Sequence, residues 1–146
     1  MNVEVKLDQS CKELRLIIIT REMNDEVSSL LQKINEPSVD MFSGIHEGEV
    51  QLIEQEEINR IYTESNKVYI STKKGLFQIK LRLYECENKL NTKIFVRISN
   101  SEIINLKEVL NFDLNYSGTI HVKMKNGEST FVSRRYVTKI KKVLGL

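Results

Sequence analysis

Apolar and polar residues alternate from Val3 to Leu7, which predicts a strand with one buried face. A second and more uniformly apolar run, Leu14-Arg15-Leu16-Ile17-Ile18-Ile19-Thr20, predicts a more buried strand. The period then changes. Val27, Leu30, Leu31 and Ile34 recur at helical spacing behind Asn24 or Asp25, either of which can cap a helix start. Asn35-Glu36-Pro37 should stop that helix, because proline lacks the N–H the ladder needs. The expected front unit is therefore a small β-β-α module over residues 1–44, too short to bury a core of its own.

From Ile45 the pattern becomes a series of short strand-like runs: 49–53, 58–63, 67–72, 76–80, 94–98 and 103–106. Turn signals separate them at Ser65-Asn66 and Lys74-Gly75, and a short helix is expected from Leu81 to Lys89. Thr119 to Met124 alternates, and Asn126-Gly127 predicts a type I′ hairpin that returns through Glu128 to Ser133. Tyr136, Ile140, Val143 and Leu144 share one side of a last helix, Arg135 to Leu144, with Lys139, Lys141 and Lys142 opposite. Strands this closely spaced predict a mostly β fold with minor α, built of antiparallel sheets over residues 45–146.

Composition narrows the chemistry. The 146 residues are 40% hydrophobic and 29% charged, a globular balance, and the longest apolar run is far below the roughly 20 residues of a membrane span. The acid-bearing, alternating start is unlike a signal peptide, so an intracellular, cytoplasmic protein is expected. Cys11 and Cys86 have no metal spacing, His46 and His121 lack a neighbouring acid or nucleophile, and Lys74-Gly75 lacks the glycines of a phosphate loop. No metal, cofactor, small-molecule substrate or enzymatic activity is expected. Charge is unevenly spread: residues 1–48 carry a net −4, residues 49–90 none and residues 91–146 a net +6. A polyanion would meet the C-terminal part.

Two stretches of that basic part carry a family pattern. Phe95-Val96-Arg97-Ile98-Ser99-Asn100-Ser101-Glu102-Ile103-Ile104-Asn105-Leu106 joins an aromatic, a basic residue, a hydroxyl-rich turn and an apolar pair followed by Asn. Asn126-Gly127 and Val132-Ser133-Arg134-Arg135-Tyr136 follow as a closing hairpin and a Ser-Arg turn into the last helix. Together they resemble the LytTR-type DNA-binding domains, over about Ile45 to Leu146. The resemblance implies a compact β fold that binds double-stranded DNA without a recognition helix, its loops and strand ends reaching successive major grooves of a bent duplex at paired repeats near promoters. It also implies a bacterial transcription regulator. Residues 1–44 are too few for a receiver domain, so the chain is more similar to the short LytTR regulators of Gram-positive bacteria, some of which a membrane protein inhibits.

On this reading Arg134 and Arg135 are guanine or phosphate contacts, the alternative being an ion pair with an acid such as Glu128. Asn100 can read an adenine edge while Ser99 and Ser101 suit phosphate, or all three can simply close their own turn. Arg97 is a phosphate clamp or a structural ion pair. Asn66 and Lys67 correspond to the first DNA-reaching loop, Lys139 thickens the positive field, and Asn105 and Tyr136 are structural. A homodimer on DNA and a membrane-protein inhibitor are the expected partners. A protein-interaction module centred on residues 1–44, with little DNA specificity of its own, is the rival reading.

Overall fold

The computed structural model describes residues 1–35 and 41–146, and they fall into two compact units that divide between residues 38 and 39.

In the first unit one helix forms, α1 (Asp25–Asn35), with the side chain of Asn24 accepting from the Val27 amide at 3.0 Å as its cap. The expected stop at Glu36-Pro37 lies outside the described residues. The two strands expected at Val3–Leu7 and Leu14–Thr20 do not form. Their alternation is present, but the described residues offer them no neighbouring strand, and a strand is stable only as part of a ladder. A turn links the two runs: the Ser10 hydroxyl and amide both donate to the Asp8 carboxylate, at 2.6 and 2.9 Å. Those two bonds hold the Asp8 carboxyl below its ordinary value.

The second unit is two antiparallel sheets. Its elements are β1 (Met41–His46), β2 (Glu49–Glu54), β3 (Ile58–Glu64), β4 (Lys67–Thr72), β5 (Gly75–Ile79), α2 (Leu83–Lys89), β6 (Phe95–Ser99), β7 (Glu102–Asn105), β8 (Val109–Asp113), β9 (Ile120–Met124), β10 (Ser129–Val132) and α3 (Val137–Val143). The larger sheet runs β2-β1-β5-β4-β3-β7-β6 and the smaller β10-β9-β8. Strands β1 and β8 escape the sequence reading. The glycine in β1 breaks its alternation, yet packing demands it: a Cβ on Gly44 would sit 2.5 Å from Ile53 Cδ1 and 2.7 Å from Phe77 Cβ. In β8 a register shift between Val109 and Asn111 interrupts the alternation.

Two cores share one wall. Phe42, Ile53, Ile58, Ile61, Ile70, Phe77, Leu83, Cys86 and Leu90 fill the first, between the larger sheet and α2. Ile120, Val122, Met124, Val132 and Ile140 fill the second, under the smaller sheet and α3. The pair β6–β7 faces both: Phe95 and Ile103 enter the first core, Val96, Ile98 and Ile104 the second. Cys86 is fully buried, and desolvation pushes its thiol up to about 12, so it acts as an apolar filler. Arg60 ties the sheets together, bonding Glu102 of β7 and Glu128 beside β10, each at 2.7 Å, while Thr130 donates to Glu102 at 2.5 Å. Burial works against the Arg60 charge, but the two carboxylates outweigh it and hold the guanidinium above its ordinary value.

Three hairpin turns are of two builds. Glu47-Gly48 and Ser65-Asn66 are two-residue loops with positive φ at both positions (49° and 80°, 49° and 61°), the type I′ geometry that matches strand twist. The expected type I′ turn at Asn126-Gly127 is instead a three-residue loop between Met124 and Glu128, in which only Gly127 has positive φ. One more loop residue places the left-handed position at its end, where glycine is free of Cβ strain.

Candidate nucleic-acid interface

At the β6–β7 turn the guanidinium of Arg97 is the organising group. It donates to Glu87 at 2.8 Å, to the Ser99 carbonyl at 2.7 Å and to the Asn100 carbonyl at 2.6 Å. Its side chain is only 14% exposed, so the cation is spent on the protein's own turn. The Ser99 hydroxyl accepts from the Ser101 amide at 3.1 Å and lies 3.2 Å from the Ser101 hydroxyl, closing the tip. Both strands leading to this turn are packed on two faces, which leaves the turn little freedom.

Ser133 lies alongside, its amide donating to the Ile98 carbonyl at 2.9 Å. The chain then turns through a single 3-10 turn, Arg134–Tyr136, into α3. Tyr136 points back to the β6–β7 turn, and its hydroxyl donates to Asn100 Oδ1 at 3.1 Å. With Oδ1 taken by Tyr136, the Asn100 amide N–H group is left as a donor on an exposed side chain. Tyr136, expected to be structural, thus positions a candidate base-reading side chain.

Arg134 and Arg135 are both exposed, and among the described residues neither side chain is in an ion pair or hydrogen bond. Glu128, the acid that could have claimed one of them, is engaged by Arg60. The Arg134 guanidinium lies over Gly118, where a Cβ would come within 3.3 Å of its Nε.

The β3–β4 tip stands at the same end of the larger sheet: the Thr63 amide donates to the Ser101 carbonyl at 2.9 Å, and Asn66 and Lys67 follow three and four residues later around the hairpin, both exposed. Thr63, Glu64, Ser65, Asn66 and Val68 form a shallow groove with Arg82 and Leu83. Arg82 is an exposed cation beside the tip that the sequence pattern did not single out, since nothing local ties residue 82 to residue 66. Lys139, on α3, lines a small cleft with Glu87 and Arg97. Asn105 is buried and structural, donating to the Ile58 carbonyl at 2.9 Å and capping the next turn through the Lys107 amide. The structure therefore brings Asn66, Lys67, Ser99, Asn100, Ser101, Arg134 and Arg135 to one end of the sheets, on loops and strand ends. No two consecutive elements among the described residues are helices joined by a turn.

The family model of the LytTr DNA-binding domain matches residues 48–145. An uncharacterized HTH-type transcriptional regulator of Staphylococcus aureus strain NCTC 8325 is 29% identical over 147 residues, covering 100% of this chain and 99% of its own. Another, from strain MSSA476, is 32% identical over 126 residues, 86% of this chain and 85% of its own. A solved LytTr DNA-binding domain from Bacillus cereus superposes with a TM-score of 0.70 at 22% identity, over 73% of this chain and 97% of that one. The expected mostly β fold with a C-terminal helix is the observed one, and the chain belongs to the LytTr DNA-binding domain family.

Proposed function

We propose that this chain is a cytoplasmic regulator of transcription that binds double-stranded DNA sequence-specifically, as a homodimer on paired repeats. The observation that carries the reading is the meeting of two unpaired arginines, Arg134 and Arg135, with the rigid Asn100 turn at one end of the sheets, within the segment of net charge +6. Arg135 donates two bonds to a guanine edge, Asn100 addresses an adenine edge, and Ser99, Ser101 and Arg134 hold phosphates. Asn66 and Lys67 reach the neighbouring major groove, and Lys139 adds positive field over the backbone. Two such tips a groove apart engage a duplex best when it bends toward them. Arg97 contributes by shaping the Asn100 turn. Control falls to a protein partner at the N-terminal unit, a membrane-bound inhibitor among the candidates.

The test is selection from randomised duplex DNA at near-physiological salt, with Arg134→Ala/Arg135→Ala as control. Enrichment of paired repeats that disappears in the double variant is the expected result, and Arg135→Ala alone should cost about 1–3 kcal/mol at its base position. Sequence-blind retention, equal in both proteins, overturns the reading.

A further inference from the structure

The N-terminal runs that fail to form strands leave a large apolar surface in water. Val3, Val5, Leu7, Leu14, Leu16, Ile17, Ile19 and Met23 are between 68% and 101% exposed. A Val or Leu side chain offers roughly 60–120 Å² of apolar surface, so eight of them offer about 500–1,000 Å². A stable association buries about 800 Å² on each partner.

We propose that residues 3–7 pair antiparallel with the same residues of a second copy, about a two-fold axis through Val5. The order of the side chains argues for a second copy over any other occupant. Centred on Val5, the pairing sets Val5 against Val5 and Val3 against Leu7, all on one face. On the other face Glu4 meets Lys6 and Lys6 meets Glu4, an opposite-charge pair at each symmetric position. An unrelated partner would have no need of an acid and a base equidistant from one valine. The backbone of residues 3–7 takes part in no ladder among the described residues, so its N–H and C=O groups are free to pair. Beyond the turn held by Asp8 and Ser10, Leu14, Leu16, Ile17 and Ile19 add further exposed apolar area. The pairing supplies the dimer of the paired-site reading and rests on it for purpose, yet it is measured without DNA, so either can fail alone.

Sedimentation of the full chain at tens of micromolar tests the proposal. The wild type should dimerise, and Glu4→Lys or Lys6→Glu alone should weaken dimerisation on the order of tenfold, because each turns two attractive pairs into repulsive ones. The double variant Glu4→Lys/Lys6→Glu should restore it, and so should an equimolar mixture of the two single variants, whose hetero-pair regains both attractions. None of these changes touches a buried residue, so folding is preserved. On a Cys11→Ser background, Val5→Cys should cross-link to itself on oxidation, since residues facing each other lie about 4.5–5.5 Å apart and within disulfide reach. Glu4→Cys should not, since the two copies of residue 4 would stand about 7–8 Å apart on a diagonal. A monomeric wild type, a dimer indifferent to the charge swaps, or equal cross-linking at positions 4 and 5 overturns the pairing. A chain that stays monomeric and binds instead to vesicles or to a membrane protein would assign the apolar runs to that partner.

Discussion

Replacing Arg97 with methionine keeps the reach of the side chain and removes every donor, which separates its two sequence-level roles. The guanidinium makes three charge-assisted contacts, to Glu87 at 2.8 Å and to the Ser99 and Asn100 carbonyls at 2.7 and 2.6 Å. The Glu87 carboxylate is 40% exposed and can rehydrate, so that pair counts for about 0–1 kcal/mol. The two carbonyl bonds, made by a charged donor, contribute about 1.5–3 kcal/mol each. The sum is about 3–7 kcal/mol, or on the order of 20 °C in Tm near its middle. DNA affinity should fall as well, because the Asn100 turn loses its frame. The slope of log K against log[salt] should stay unchanged, since the charge that disappears neutralises Glu87 and no phosphate. A phosphate clamp would behave in the opposite way, flattening the slope by about 0.9 with little change in Tm. Thermal melts and salt titrations of binding on the same protein decide it, and the second pattern would refute the assignment.

Three further changes test separate parts of the structure. Gly44→Ala should destabilise the second unit by about 1–3 kcal/mol in urea melts, because the new methyl group meets the side chains of Ile53 and Phe77. Tyr136→Phe should leave Tm nearly unaltered but relax base preference at one position of a selected site, as the Asn100 amide is freed to rotate. The buried Cys86 thiol stays neutral until about pH 12, whereas the unfolded chain ionises near 9, so the folded form holds more protons in between and stability should fall across that window. Cys86→Ala should remove that part of the pH dependence, although the cavity lowers stability at every pH.

Residues with a regular local signature were legible in the sequence, and residues whose role depends on a distant neighbour were not. The β3–β4 and β9–β10 hairpins, α2, and the placement of Asn100 and Arg134 at turns all followed from periodicity and turn residues. Strand β1 did not, because Gly44 is chosen by the side chains of Ile53 and Phe77 across the sheet. Val3–Leu7 gave the opposite error. Alternation states that a segment could be one strand of a pair, and nothing in it states whether the partner belongs to the same chain. The site shows the same division. Arg97 and Glu87 are ten residues apart and on different elements, and Tyr136 and Asn100 are 36 apart, so the contacts that orient the turn were invisible while the turn itself was not.

A surface made of turns must solve a problem that a recognition helix avoids, because loops lose conformational freedom when they bind, and that loss subtracts from affinity. On the proposed function that loss would be met during folding. The β6–β7 turn caps a strand pair packed between two cores, and Arg97 binds both of its carbonyls from beneath. The β3–β4 tip holds two non-glycine residues at positive φ, a strained conformation that persists only where the flanking strands impose it, and β3 is hydrogen-bonded on both sides to β4 and β7. Arg134 and Arg135 sit in a tight 3-10 turn between a strand and a helix, both of which bury side chains in the second core. Their long side chains are exposed, while their backbone is fixed by the turn. On the proposed function the strain at Ser65 and the buried guanidinium of Arg97 would belong to the binding apparatus, and a variant that relaxes either should bind more weakly even though it removes no proposed contact to DNA.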